Sequence, residues 1–303
     1  MKLIFFLPTI QVCSWERKKS LITSSRPNVD TNRKIVLTHK LTVPKTLYTT
    51  TVSYSVMLLV DVHCHLHLCE SPQDVVAGAS ARGVKRLITA GLDEESNKLS
   101  LDFSRGSDIV RCALGLYPNN LTKDWSLQLE SVKRQMLKFQ DDIVAIGEVG
   151  LDYMRDTPKD WQIPVFEEFV HLSEKTKLPL IIHSRKAEEE VLSILESSNV
   201  RHAILHSFGG SKRLMKKGAD AGYLFSIPAN VERSTHYQSI ISVTPLSQLL
   251  TETDSPYQSP VKDTLNVPWN VERAIPVIAN LKKITPIETA NNIFMNYTRV
   301  FKN

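Results

Sequence analysis

The chain is 303 residues long, 42% hydrophobic and 23% charged, with a mean hydropathy of -0.15; it holds enough apolar side chain for a sizeable core and too little charge to stay disordered. No apolar run reaches the roughly 18 residues of a bilayer-spanning helix and no repeat of about 20 to 50 residues stands out, which excludes membrane-spanning, fibrous and solenoid architectures. The formal net charge of +5 is unevenly placed: nine Lys and Arg stand against two acids in residues 1–57, leaving 28 against 30 in residues 58–303.

Residues 1–57 are rich in Ser, Thr, Lys and Arg, carry Pro8, Pro27 and Pro44, and show no sustained period, so they read as a mostly disordered N-terminal extension. A short apolar run from Leu3 to Leu7 without a cleavage site makes a poor secretion signal, and the basic, acid-poor composition also suits an organelle transit peptide. The favoured reading is an over-extended translation start, because Met57 stands directly before the first strand pattern. Cys13, Cys64, Cys69 and Cys112 form no CxxC pair, which fits a reducing compartment, the cytoplasm.

From residue 58 onward, short apolar runs alternate with amphipathic stretches. The pattern predicts a strand at 58–62, a helix at 72–82, a strand at 85–90, a helix at 94–105 and a strand at 109–115. It continues with a helix at 126–139, a strand at 143–147, a helix at 161–177, a strand at 179–183 and a helix at 186–197. Strands at 202–206, 222–226 and 248–252 follow, with a helix at 211–219 between the first two and helices at 269–282 and 286–299 after the last. Eight strands with intervening helices specify an α/β fold of the closed (β/α)8 barrel type over residues 58–303 rather than an open doubly wound sheet. No Gly-x-Gly-x-x-Gly follows a strand and no P-loop is present, so nucleotide cofactors are not indicated.

Polar residues interrupt the apolar strands where they meet loops. Asp61-Val62-His63-Cys64-His65 closes the first strand, and the alternation of an extended chain puts both imidazoles on one face, able to grip one metal ion. Glu148, His183, His206 and Asp254 stand at the same end of later strands. The intervals of 85, 35, 23 and 48 residues place them on strands one, four, five, six and eight, since a barrel unit averages about 31 residues. Four histidines and two carboxylates converging on the catalytic rim match the ligand count of a two-metal hydrolytic site, which makes hydroxide near neutral pH and clamps attacking and leaving oxygens. Arg185, beside His183, is a candidate phosphate clamp through its two-pronged guanidinium, or an exposed ion-pairing residue. Tyr257 either stacks on a base or shapes its loop. Asp61 and Asp152 suit orienting acceptors for the ligands better than ligands themselves.

The chain resembles the TatD family of metal-dependent deoxyribonucleases, within the amidohydrolase superfamily, from about Leu58 to Tyr297. Five motifs carry the resemblance: Asp61-Val62-His63-Cys64-His65-Leu66, Gly147-Glu148-Val149-Gly150-Leu151-Asp152-Tyr153, His183-Ser184-Arg185, His206-Ser207-Phe208-Gly209-Gly210-Ser211 and Glu252-Thr253-Asp254-Ser255-Pro256-Tyr257. It implies that His63 and His65 ligate one metal and His183 and His206 the second, that Glu148 bridges them, and that Asp254 completes the first site and takes the proton of the attacking water. It implies DNA as the substrate, trimmed from the 3' end by a dinuclear metal-bound hydroxide. The near-neutral charge of residues 58–303 favours single-stranded or 3' ends over long duplexes. Two divalent ions are implied, with identity open among Mg, Mn and Zn: magnesium is customary in the family, whereas four nitrogen donors suit zinc or manganese better.

Two departures stand out. Gly115-Leu116-Tyr117-Pro118 places a phenol where the family often has a substrate-side histidine, and His67 stands where an acid is common, as an extra ligand or a loop histidine. The same ligands also suit a carboxylic ester or amide, as in an aminoacyl-RNA deacylase, because such chemistry attacks carbonyl and phosphoryl centres alike. A non-catalytic binding barrel would be favoured by a substituted ligand position, and none is substituted.

Overall fold

The structure is a computed structural model that describes residues 57–301. The reading of the N-terminal extension therefore lies, but for Met57, outside the described residues. Eight strands, β1 (Leu59–Cys64), β2 (Val84–Ala90), β3 (Val110–Leu114), β4 (Ala145–Asp152), β5 (Leu180–Arg185), β6 (Ala203–His206), β7 (Leu224–Pro228) and β8 (Leu249–Glu252), alternate with helices. The helices between strands are α1 (Pro72–Ala81), α2 (Glu94–Arg105), α3 (Trp125–Lys138), α4 (Lys159–Thr176), α5 (Glu188–Glu196), α6 (Lys212–Asp220) and α7 (Thr235–Val243), and α8 (Ala274–Lys282) and α9 (Pro286–Val300) follow β8.

Neighbouring strands pair in parallel in chain order from β1 to β8, which is the (β/α)8 barrel that the alternation predicts. The seam between β8 and β1 is made by individual bonds. Thr251 Oγ1 donates to the Val60 carbonyl at 2.7 Å. Just beyond β8, the Asp254 amide donates to the His63 carbonyl at 2.9 Å, and the His65 amide donates back to the Ser255 carbonyl at 2.7 Å. The buried Asp61 carboxylate accepts from the Thr253 amide at 2.9 Å and from the Thr253 hydroxyl.

The helices are punctuated by their own sequence. Asp93 and Ser96 form a reciprocal capping box at the start of α2, as Thr285 and Glu288 do at α9. Along α9 the buried Ile293, Asn296, Tyr297 and Val300 recur at helical spacing and turn one stripe inward. α7 has no counterpart in the sequence reading: its Ile and Val content argues against a helix, yet Ser234 caps it by accepting from the Tyr237 amide and Ile240 and Ile241 bury its inner face. The helix expected from 269 begins as a 3-10 turn, Pro268–Arg273, and becomes α-helical at Ala274.

β4 runs through Glu148 to Asp152 instead of stopping at Gly147, and every residue in it is buried. A carboxylate flanked by glycines reads as the end of a strand, but here the glycine serves close approach. Gly150 has φ +139, and a Cβ there would lie 2.0 Å from the His183 carbonyl oxygen of β5. Only a residue without a side chain lets the strands carrying Glu148 and His183 come this near. Gly222 has φ +84 with nothing within 4 Å of its Cβ position. Gly150→Ala is thus expected to cost about 3 kcal/mol in denaturant unfolding and Gly222→Ala about 1 kcal/mol, because only the first adds a clash to backbone strain. Equal losses would show that the β4–β5 approach is not tight.

Candidate metal centre

β1 carries Asp61 and His63 on one face, and His65 follows two residues later on the same side; all three are buried. The imidazoles meet Glu148 from β4, His183 from β5, His206 at the end of β6 and Asp254 just past β8. Glu148 Oε2 lies 3.5 Å from His63 Nε2 and 3.3 Å from His65 Nε2, and Asp254 Oδ1 lies 3.4 Å from each of those nitrogens. The other oxygen of Glu148, Oε1, is 2.8 Å from His183 Nδ1 and 3.8 Å from His206 Nε2. Glu148 thus turns one oxygen to each pair of histidines.

Two overlapping groups have ligand atoms within 4.8 Å of one another, His63 with His65 and Asp254, and His63 with Glu148 and His206. A tetrahedral cation with bonds near 2.1 Å has donor-to-donor edges of about 3.4 Å, the size of the four His63 and His65 distances. His63 is fully buried, and neither ring nitrogen has a hydrogen-bond partner. An imidazole left so is costly unless a cation occupies Nε2. The residues present fit a bound divalent ion.

Three of the four imidazoles are oriented through their second nitrogen. His65 Nδ1 faces the Ala90 carbonyl at 3.0 Å, so Nε2 is the free donor. His183 Nε2 meets Asp152 Oδ2 at 3.1 Å, freeing Nδ1. His206 Nδ1 meets Glu252 Oε2 at 2.8 Å. Glu252, fully buried, also accepts from the Ser207 amide at 3.0 Å, the Ser207 hydroxyl at 2.7 Å and the Ser226 hydroxyl at 2.5 Å. The sequence reading gave Glu252 no role, although its spacing of two from Asp254 at the end of β8 is the same signal that singled out His63 and His65. Asp152 meets the His183 side chain, whereas Asp61 holds the seam and, within the cluster, accepts from the backbone amide of His63 at 3.3 Å.

Tyr117 turns its hydroxyl inward, donating to Asp152 Oδ2 at 3.0 Å and lying 3.4 Å from His183 Nε2. His67 sits in a 3-10 turn with its ring 5.6 Å from that of His65 and belongs to neither group of ligand atoms; burial, reinforced by the charge on His65, pushes its pKa down to about 4. Arg185 ends β5 exposed, with no ion-pair partner among the described residues. Ser207 and Asp254 have φ of 40 and 58, left-handed backbone held beside the cluster. Tyr257 is 56% exposed, its ring 6.4 Å from that of His65.

A cluster of imidazoles and carboxylates at the carboxyl-end rim of a (β/α)8 barrel defines a metal-dependent hydrolase. Residues 60–302 match the family model described as TatD related DNase, and the chain belongs to that family. It is 30% identical over 262 residues to Deoxyribonuclease TATDN3 of Homo sapiens, a match covering 80% of this chain and 94% of that protein. It is also 30% identical over 255 residues to the metal-dependent hydrolase YabD of Bacillus subtilis, covering 81% and 99%. The crystal structure of the TatD homologue YjjV from Escherichia coli superposes with a TM-score of 0.76 at 25% identity, covering 82% of this chain and all of that one. Among the described residues no helix is long and apolar enough to cross a membrane.

Burial alone would strip charge from His63, His65, Glu148, Asp152, His183 and Asp254, but mutual attraction outweighs it. The nearby carboxylates raise His63 well above its ordinary value and lift His65 and His183 to about 9. The imidazoles hold Glu148 and Asp254 well below the usual carboxylate range and Asp152 at about 2. At neutral pH the cation-free cluster therefore keeps protons on these rings, and an arriving cation must displace them. Apparent affinity for Mn2+ is expected to rise between pH 6 and pH 9, about tenfold per unit for each proton displaced. Calorimetry in buffers of different ionisation enthalpy reads the released protons directly, and an affinity flat across that range would contradict the coupling.

Proposed function

We propose that the protein hydrolyses phosphodiester bonds of DNA, removing nucleotides from 3' ends with two divalent cations bound. The observation that carries the reading is Glu148, one carboxylate whose two oxygens face two separate pairs of histidines. His63, His65 and Asp254 would hold one ion, His183 and His206 the other, with Glu148 between them. Such ions would polarise a phosphoryl oxygen and make water acidic enough to attack near neutral pH. The names of the family and of the human relative supply the nucleic acid substrate.

The attacking water forms a new P–O bond as the P–O3' bond breaks, leaving a 3' hydroxyl on the shortened strand and a released 5' nucleotide. Asp254, ionised beside the histidines, accepts the proton of that water and passes it on to the departing O3', which leaves as the 3' hydroxyl. Arg185, exposed at the end of β5 two residues past His183, binds a phosphate through its paired N–H groups. Tyr257, exposed beside His65, offers a ring on which a terminal base stacks. The near-neutral balance of residues 58–303 provides no long basic track for duplex DNA, so single-stranded ends are the fitting form.

The full chain, supplied with Mn2+, Mg2+ or Zn2+ in turn, is expected to shorten 5'-labelled single-stranded DNA stepwise. His63→Ala and Asp254→Ala should each lower the rate at least about 100-fold, and Arg185→Ala should mainly raise KM. Unchanged cleavage in both ligand variants would overturn the reading. Turnover of aminoacyl-RNA or simple carboxylic esters, with none of DNA, would replace the phosphodiester with a carbonyl substrate.

A further inference from the structure

The loop after β8 carries a side chain with no role in the proposal above. Gln258 is half-buried, with left-handed backbone at φ 51. Its Nε2 lies 2.9 Å from Asp254 Oδ2 and 2.8 Å from Ser207 Oγ. The chemistry of the neighbours fixes which end of the amide faces them. Asp254 Oδ2 accepts from Gln258 Nε2, as an oxygen of a carboxylate does. The Ser207 hydroxyl gives its hydrogen to Glu252 Oε1 at 2.7 Å and so has only lone pairs left. Both neighbours demand a donor, and the two hydrogens of one amide nitrogen supply them.

We infer that Gln258 is a positioning residue: it decides which oxygen Asp254 turns to His63 and His65 and links that choice to the orientation of His206. With Oδ2 held by Gln258, Oδ1 is the oxygen left facing the His63 and His65 nitrogens, 3.4 Å from each. From Ser207 the same chain of bonds passes to Glu252 and on to His206 Nδ1 at 2.8 Å. One amide thereby joins a ligand of each proposed metal position. Its own placement is rigid, because the buried Asn266 donates to the Thr253 carbonyl at 2.7 Å and to the Gln258 carbonyl at 3.3 Å. This role rests on the assignment of Asp254 as ligand and proton acceptor.

Gln258→Leu and Gln258→Met keep the volume and remove both donors, and Gln258→Glu places a second carboxylate against Asp254. Each variant of the full chain is checked for a wild-type melting curve and titrated with Mn2+ by calorimetry, and its rate is followed on single-stranded DNA ends. Loss of an outer partner of a metal ligand is expected to weaken Mn2+ binding about 10- to 100-fold, and kcat should fall about tenfold or more with KM within about twofold of wild type. Gln258→Glu should be the weakest binder of the three. A folded Leu or Met variant with wild-type Mn2+ affinity and kcat overturns the inference, as does a rise in KM alone, which would make Gln258 a substrate contact. Asp254→Asn run alongside separates the two levels. If it abolishes binding and cleavage while Gln258→Leu changes neither, only Gln258 loses its role; if it changes neither itself, the assignment of Asp254 falls and the positioning role with it.

Discussion

A carboxylate nearly sealed from water, Glu148, is the group on which the site turns. An ionised group in that setting is stable only when opposite charge or a cation surrounds it. Four imidazoles approach it from β1, the residue just past β1, β5 and β6, and its oxygens divide between them. The neighbouring architecture serves that convergence. Gly150 lets β4 and β5 close up, and the left-handed turns at Ser207 and Asp254 redirect the chain at the rim. With no cation bound, the raised pKa values of His63, His65 and His183 keep protons on those rings, so protonation and metal loading would compete for the same lone pairs.

The imidazoles are not held alike. His65, His183 and His206 each have the second ring nitrogen engaged, by a carbonyl, by Asp152 and by Glu252. His63 has no such partner and is fixed by packing, its ring 4.8 Å from that of His65 and 3.9 Å from that of His206. Its ring is therefore oriented by packing and by the Glu148 and Asp254 carboxylates that face Nε2. Tyr117 adds a further layer on the His183 side by sharing Asp152.

Much of the fold was legible because a parallel barrel writes itself as apolar runs separated by amphipathic ones, and the clustered histidines because His63, His183 and His206 interrupt such runs. The harder parts involve relations between strands. Glu148 looks like the end of a strand in one dimension, and only the three-dimensional approach to His183 shows why Gly150 belongs inside β4. Glu252 was visible as a residue but not as a partner, since its contact with His206 spans 46 positions. Tyr117 read as a departure from the family motif, and its hydrogen bond to Asp152, 35 positions on, is a relation no local pattern shows. Local composition also hid α7, where Ser234 and two buried isoleucines outweigh a poor helix-forming sequence.

The seam between the first and last strands has a consequence for when the protein becomes chemically competent. His63 and His65 are among the earliest described residues to be made, and Asp254 comes some 190 positions later, joined to them across the seam by the same bonds that shut the cylinder. A growing or half-folded chain owns the two imidazoles but lacks the acid opposite them. At the proposed His63, His65 and Asp254 position, ion capture would wait for the last strand to dock, and a molecule still on its way to the native state would carry no armed centre there.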